Sequence, residues 1–289
     1  MTAQNPPFFC FGSPKSGTTF LQRMLDVHPE ISCPSEQLTS ELAKNLQQFY
    51  AAYNEVLAIA DDRNGGQGVR PISKQAVERV FARHAQVMAE DTAQGKPIFG
   101  LSDNALGLNI GKFLPMFPTA KFIRIVRNPV DRGVSLWRYN HEVHKNTGNE
   151  VFFAKFMEAS AGTVEGCILH YAALDAEDLR NFIAAVGDNP NVLIIRYEDF
   201  SQARLAGLKQ VYEFLGAETS PQLLEELAHQ GQIGTMAQVS KNKAFFSGGG
   251  RTDFGGNRIS PEIRRQALEI MKDPMQRLGY DLSALPEAR

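Results

Sequence analysis

Short apolar runs alternate along the chain with longer stretches in which apolar residues recur every three to four positions. The short runs predict buried strands, over residues 7–12, 96–101, 120–127 and 191–197. The longer stretches predict helices, over residues 17–28, 37–59, 73–92, 105–116, 199–215 and from Pro129 onwards. This alternation is typical of a parallel β-sheet with helices on both faces. Ligands in such folds bind at the carboxyl ends of strands.

The chain of 289 residues is long enough for one large α/β domain. The glycine-rich segment 61–71 joins two helical patterns, and we interpret it as a loop between two helices of one domain and not as a domain linker. No internal repeat interrupts the pattern. We therefore expect a single domain over residues 1–289, with a central parallel sheet flanked by helices.

Charge and composition narrow the class of partner. The formal net charge of −2 provides no overall basic field for a nucleic acid. No apolar run approaches the ~20 residues that span a bilayer, and the first residues lack the positive region of a signal peptide. Cys10, Cys33 and Cys167 are too widely spaced for a zinc site, and we expect reduced thiols in a cytoplasmic protein. The pattern leaves the oligomeric state open.

The first strand runs into a glycine-bounded loop that opens the first helix. Its residues, P-K-S-G-T-T at 14–19, combine a lysine, a glycine and hydroxyl side chains. The amides of residues 15–19 and the helix dipole predict an anion site, while the alternative is a plain strand–turn–helix corner. In a nucleotide triphosphatase the lysine follows the second glycine and the next hydroxyl holds Mg²⁺. Here Lys15 precedes Gly17, which favours a metal-free transfer with Lys15 at the bridging oxygen.

A second polar cluster follows the third strand. Arg127 closes that strand, Pro129 suits the first turn of a helix, and Ser135 lies about two helical turns further on. The arginine and the serine can grip one phosphate together. Taken alone, this cluster is better described as a surface arginine and an ordinary helical serine.

Together the two clusters resemble the sulfotransferase family, whose donor is 3′-phosphoadenosine 5′-phosphosulfate (PAPS) and whose product is adenosine 3′,5′-bisphosphate (PAP). The segments H-P-E-I at 28–31 and I-I-R-Y-E-D-F at 194–200 are also similar to that family. The resemblance implies the family's P-loop-like α/β fold. It implies that the first loop binds the 5′-phosphosulfate, that the second cluster binds the 3′-phosphate, and that Tyr197 lies near the adenine. The implied donor-binding residues are Lys15, Ser16, Gly17, Thr18, Thr19, Arg127, Ser135 and Tyr197.

The C-terminal part departs from the family pattern. Many members carry an arginine–lysine–glycine run and a tryptophan there, whereas this chain has glycines at 248–250 followed by Arg251. We expect Arg251 to take over the phosphate contact, with Lys241, Lys243 and Arg258 as weaker candidates, and the glycines to form a mobile lid. Ser260 is expected to cap the last long helix, with Pro261 in its first position.

Two carboxylates are candidates for the general base that takes the proton of the acceptor. Some branches of the family use a histidine near residues 99–104, where this chain offers only Asp103; other branches use a glutamate shortly after the H-P-x-x run, a position that Glu36 matches. Glu36 is our first candidate and Asp103 the second. Glu36 is equally well explained as an acidic residue at a helix N-terminus.

Three activities are compatible with these residues. The first is metal-free sulfuryl transfer from PAPS to a hydroxyl or amine. The second is an ATP-dependent small-molecule kinase with a variant loop, which would need Mg²⁺, and the third is a nucleotide-binding module without catalysis. We expect helical segments near 37–92 and 141–186 to wall the acceptor pocket. Their apolar and aromatic content fits an aryl, lipid or other small acceptor better than a long glycan.

Overall fold

The structure is a computed structural model that describes residues 6–66, 68–231 and 259–281. Within these residues the chain folds around one five-stranded sheet, in the order β2–β3–β1–β4–β5, and every hydrogen-bonded strand pair is parallel. The strands are β1 Phe8–Phe11, β2 Ile31–Ser32, β3 Ile98–Ser102, β4 Phe122–Val126 and β5 Val192–Arg196. The expected single α/β domain with a parallel sheet is confirmed.

Helices follow the strands and cover both faces. They are α1 Thr18–Asp26, α2 Thr39–Arg63, α3 Lys74–Asp91, α4 Ile110–Met116, α5 Pro129–Thr147, α6 Glu150–Ala159, α7 Val164–Val186, α8 Tyr197–Gln202, α9 Arg204–Leu215, α10 Pro221–Gln230, α11 Pro261–Ile270 and α12 Lys272–Arg277. A 3₁₀ turn, Leu106–Asn109, precedes α4. The helix predicted over 199–215 is in fact two helices, α8 and α9, because the chain leaves helical geometry at Ala203.

Alternation along the strands divides the core in two. Phe9, Phe11 and Phe122 face α3, α4 and α7 in a cluster rich in phenylalanine. Cys10 and Ile123 face the opposite side, towards α1, α9 and α10. Both faces are buried because successive side chains of a strand point to opposite sides and each side is covered by helices.

Local caps fix where the helices beside the site begin. The Asn128 side chain accepts hydrogen bonds from the amides of Val130 and Asp131, so that α5 starts immediately after β4, with Pro129 in its first turn. The Thr163 hydroxyl caps α7 in the same way, by accepting from the Gly166 amide. The predicted Ser260 cap of α11 is also present, since its hydroxyl accepts from the Ile263 amide at 3.3 Å.

Candidate active site

The loop between β1 and α1 is built to receive an anion. Gly17 occupies the cap position of α1 with a φ of 102°, a backbone conformation that favours glycine. Within this fully described helix, neither a side-chain cap nor an acidic residue occupies the first turn. The first amides of α1 are therefore left for a ligand, at the positive end of the helix dipole.

Arg127 holds this loop from the side of β4. Its Nη1 donates to the carbonyl oxygen of Lys15 at 3.0 Å, and its guanidinium lies 4.3 Å from the centre of the Tyr197 ring. The same ring packs on Gly17, where an added Cβ would come within 2.5 Å of a Tyr197 ring carbon. The structure thus brings together Lys15, Gly17, Arg127 and Tyr197, which lie up to 182 positions apart in the sequence.

An ion pair that the sequence analysis missed holds the loop from the side of α5 and α7. Arg132 Nε donates to the Pro14 carbonyl at 3.0 Å, and Arg132 Nη1 lies 2.6 Å from the Asp175 carboxylate. Asp175 in turn accepts from the Ser13 hydroxyl at 2.8 Å. Burial raises the pKa of Asp175, against the opposing effects of Arg132 and Ser13. Arg127 and Arg132 therefore hold the loop from two sides.

The Lys15 side chain extends from the loop towards Tyr139 of α5. Its backbone has a φ of 72°, and its Nζ lies 4.3 Å from the centre of the Tyr139 ring. Burial, aided by the charge of Arg127, lowers the pKa of Lys15 from 10.5 to about 8. Lys15 is therefore a partly desolvated cation that gains from an anionic partner.

Glu36 approaches the same tyrosine. Burial raises the pKa of Tyr139, and the negative charge of Glu36 adds to the rise. The Glu36 carboxylate is exposed and accepts a long hydrogen bond, of 3.4 Å, from the Asn104 amide. Tyr139 thus contacts the cation of Lys15 and is acted on by the charge of Glu36, and nothing in the sequence pattern had singled out Tyr139.

Asp103 lies nearby but is engaged differently. It is 1% exposed and accepts three hydrogen bonds, from Thr39 Oγ1 at 2.7 Å and from the amides of Ser40 and Ala105 at 2.6 and 2.9 Å. These bonds fasten the start of α2 to the turn after β3.

The remaining candidate residues fall into two groups. Ser16 and Thr18 are buried, whereas Thr19 lies half-buried in the first turn of α1 and Ser135 half-buried on α5. Arg251 and its weaker alternatives Lys241, Lys243 and Arg258 lie outside the described residues.

A cavity of about 860 Å³ opens beside the loop. Its lining includes Gly12–Pro14, Tyr139 on α5 and Phe152 on α6, with further residues from α4 and α7. Part of the wall thus comes from the segment 141–186 that the sequence pointed to. Among the lining residues of this cavity in the described chain, none falls in the segment 37–92, whose helix α3 instead packs on the phenylalanine cluster through Phe81.

Among the described residues, no group of three or more histidine, cysteine, aspartate or glutamate side chains is arranged to hold a metal ion. None of the helices in the described ranges combines the length and the apolar character that crossing a membrane requires.

Comparison with known proteins agrees with this geometry. A family model described as "Sulfotransferase family" matches residues 6–221, which contain the loop, Arg127, Ser135 and Tyr197. The chain belongs to the sulfotransferase family.

Individual sulfotransferases are similar to this chain over most of its length. It is 24% identical to sulfotransferase 6B1 of Gorilla gorilla gorilla over 241 residues, covering 79% of this chain and 77% of the relative. The crystal structure of sulfotransferase STF9 from Mycobacterium avium has a TM-score of 0.55 at 13% identity, covering 98% of this chain and 79% of the other. Mouse sulfotransferase SULT7A1, crystallised with PAP, has a TM-score of 0.53 at 16% identity, covering 95% and 85%. At these identities the solved structures show the same fold.

Proposed function

We propose that this sulfotransferase transfers a sulfuryl group from PAPS to a hydroxyl, or an amine, of a small-molecule, aryl, lipid or glycan acceptor by metal-free in-line displacement. The observation that carries the proposal is Lys15, a half-buried lysine with a pKa lowered to about 8, set in an anion-binding loop beside a cavity. The PAP bound in mouse sulfotransferase SULT7A1, which shares the fold, supports PAPS as the donor.

The loop is assigned to the 5′-phosphosulfate. The first-turn amides and the hydroxyls of Ser16, Thr18 and Thr19 would bind its oxygens, and the left-handed backbone of Gly17 shapes the turn that presents them. Lys15 would place its charge at the oxygen that bridges phosphorus and sulfur, where negative charge develops as the bond breaks. The charge of a lysine then serves where a nucleotide triphosphatase would use a metal ion.

The residues beyond the loop are assigned to the nucleoside. Arg127 and Ser135 would bind the 3′-phosphate, and Tyr197 would border the adenine. The Arg127 guanidinium is already oriented by the Lys15 carbonyl and the Tyr197 ring, so little side-chain freedom is left to lose on binding. Arg251 remains proposed as a further phosphate contact.

Glu36 is proposed as the general base that takes the proton of the acceptor hydroxyl. Its carboxylate is exposed, accepts from the amide of Asn104, and raises the pKa of Tyr139, and both of these residues line the cavity. Asp103 stays the alternative, although its three hydrogen bonds suit a residue that positions the start of α2. A base must reach the proton it removes, which favours the exposed carboxylate.

A reducing, cytoplasmic location is part of the same proposal. Three widely spaced cysteines without a C-x-x-C pair are typical of reduced thiols in such a compartment.

Calorimetric titration of the purified protein with PAP, AMP and ATP in the presence of EDTA tests the donor site. We expect tight binding of PAP and weak binding of AMP and ATP. In a separate assay with PAPS, we expect sulfuryl transfer to members of a panel of phenols and alcohols. Preference for ATP once Mg²⁺ is restored would contradict the proposal and favour a kinase.

A further inference from the structure

Tyr139 gives the lysine of the phosphate loop an aromatic partner on α5. The residue is half-buried, lines the cavity of about 860 Å³, and has its ring centre 4.3 Å from Lys15 Nζ. At this distance the electron-rich face of the ring attracts an ammonium group. A side chain from a different element of the fold thus holds the charge of Lys15 at the border between the loop and the cavity.

The contact offsets part of the cost of placing a charged lysine here. Burial of Lys15 and the positive charge of Arg127 both disfavour the ammonium form, and they lower the pKa of Lys15 to about 8. The backbone of Lys15 also has a positive φ, of 72°, which is strained for a residue with a Cβ. Since burial and Arg127 act against the charge, an attractive contact favours the charged form and fixes where Nζ lies.

An aromatic ring differs from a carboxylate as the partner of a cation. A carboxylate neutralises the charge that it binds, whereas a ring attracts the ammonium through its quadrupole and leaves the net charge in place. The charge of Glu36 acts on Tyr139, so a carboxylate is close by. An ion pair between Lys15 and Glu36 would occupy both the proposed leaving-group cation and the proposed base. The ring offers Lys15 a contact that keeps both charges available for the reaction.

One face of α5 carries Tyr139 together with two other residues of the site. Arg132, Ser135 and Tyr139 are spaced by three and four positions, so their side chains project from the same side of the helix. Arg132 holds the backbone of the loop, through the Pro14 carbonyl, and Tyr139 contacts its lysine side chain. The same rigid helix therefore sets the positions of the loop backbone and of the charge that the loop carries.

We propose that Tyr139 is a positioning residue for Lys15, whose ring holds the ammonium group against its face so that the charge is already in place when the donor phosphate binds. The contact is kept in the free protein and in the donor complex alike. This inference rests on the proposed function, because it takes Lys15 as the group that meets the 5′-phosphosulfate. The role belongs to the ring, so Tyr139→Phe should preserve it and Tyr139→Leu, which has no aromatic face, should not.

Nuclear magnetic resonance of the full chain, labelled with ¹³C at the lysine ε-carbons, tests the contact itself. The ring current of Tyr139 should shift the ε-proton signal of Lys15 upfield of the other lysine signals, and the loss of this signal in Lys15→Arg assigns it. The shift should persist in Tyr139→Phe and after addition of PAP, and it should disappear in Tyr139→Leu. An unshifted Lys15 signal in the free wild type, or loss of the shift when PAP binds, would overturn the inference.

Calorimetric titration with PAP measures what the contact contributes to binding. Without the ring, Lys15 has to be immobilised when the ligand binds, which should weaken PAP about two- to tenfold in Tyr139→Leu. Tyr139→Phe should stay within about twofold of the wild type. Phe152→Leu is the matched control, since it removes an aromatic ring from the α6 side of the same cavity and should leave the affinity unchanged. Unchanged or tighter binding by Tyr139→Leu, or an equal loss in Tyr139→Phe, would contradict the role of the ring.

A double substitution shows whether the ring acts through Lys15. Lys15→Ala leaves no ammonium to position, so adding Tyr139→Leu to it should cause no further loss of PAP affinity. A second loss of full size would assign the ring to another role and overturn the inference. The two proposals fail separately: absence of PAP binding to the wild type would contradict the proposed function, whereas PAP binding without a shifted Lys15 signal would overturn only the positioning by Tyr139.

Discussion

Lys15 should take up a proton when PAP binds in alkaline solution. In the free protein the pKa of Lys15 is about 8, because the side chain is desolvated and Arg127 lies nearby. A phosphate beside Lys15 favours the charged form and should return its pKa towards the ordinary value of 10.5. Binding therefore has to protonate those molecules in which Lys15 was neutral.

The size of the effect follows from that pKa. At pH 8.5 about three quarters of the free protein has a neutral Lys15, and at pH 7 about one tenth, so uptake should rise from about 0.1 to about 0.75 proton. Because only the protonated form binds well, the apparent affinity should fall about tenfold between pH 7 and pH 9. The affinity is highest below the free pKa and is lost as the pH rises through it.

Calorimetry in two buffers of unlike ionisation enthalpy measures the uptake directly. Lys15→Ala should abolish it, and Lys15→Arg should bind without it because a guanidinium stays charged throughout this range. Uptake at pH 8.5 that is no larger than at pH 7, or that persists in Lys15→Ala, would refute the assignment of Lys15 to the phosphosulfate.

Three other substitutions test the rest of the site. Gly17→Ala should destabilise the fold by about 2–5 kcal/mol in urea unfolding, since it adds a clash with an aromatic ring to backbone strain. Gly216→Ala, with a φ of 85° and open space around it, should cost only about 1–2 kcal/mol; equal costs would argue against the clash. Arg127→Ala should weaken PAP about ten- to hundredfold by calorimetry and AMP by a smaller factor, through the loop that Arg127 also holds; equal losses would contradict a 3′-phosphate contact. Glu36→Gln should lower kcat about 100-fold or more at unchanged Tm, whereas Asp103→Asn should lower Tm, through its three hydrogen bonds, more than kcat; the reverse pattern would make Asp103 the base.

The strands and the loop were predictable because their signals are local. Each of the four apolar runs became a strand, since a short apolar run bounded by turns has few alternatives once helices flank it. β2 was missed because Ile31–Ser32 is two residues long, and only its pairing with β3 makes it a strand. The lysine, glycine and threonines of the loop were recognised because all of them lie within a few positions.

The supports of the loop were not predictable from the sequence. Arg132 and Asp175 lie 43 positions apart, and on their own helices each looks like an ordinary solvent-facing charge. Arg124, which is buried in β4 and pairs with Asp178 of α7, was hidden in the same way, within an apolar run whose only notable feature was its hydrophobicity. Long-range ion pairs depend on how the helices pack on the sheet, which a linear pattern does not contain.

The contacts of Ser13 and Pro14 with Asp175 and Arg132 act as a strut between the phosphate loop and α7. The loop lies on the donor side, and α7 forms part of the wall of the cavity. If the loop moves when it is occupied, either α7 moves with it or these buried bonds break. The free energies of donor binding and of acceptor binding would then be coupled through these contacts between the loop and α7. Thermodynamic linkage would require that each ligand alter the affinity for the other by the same factor.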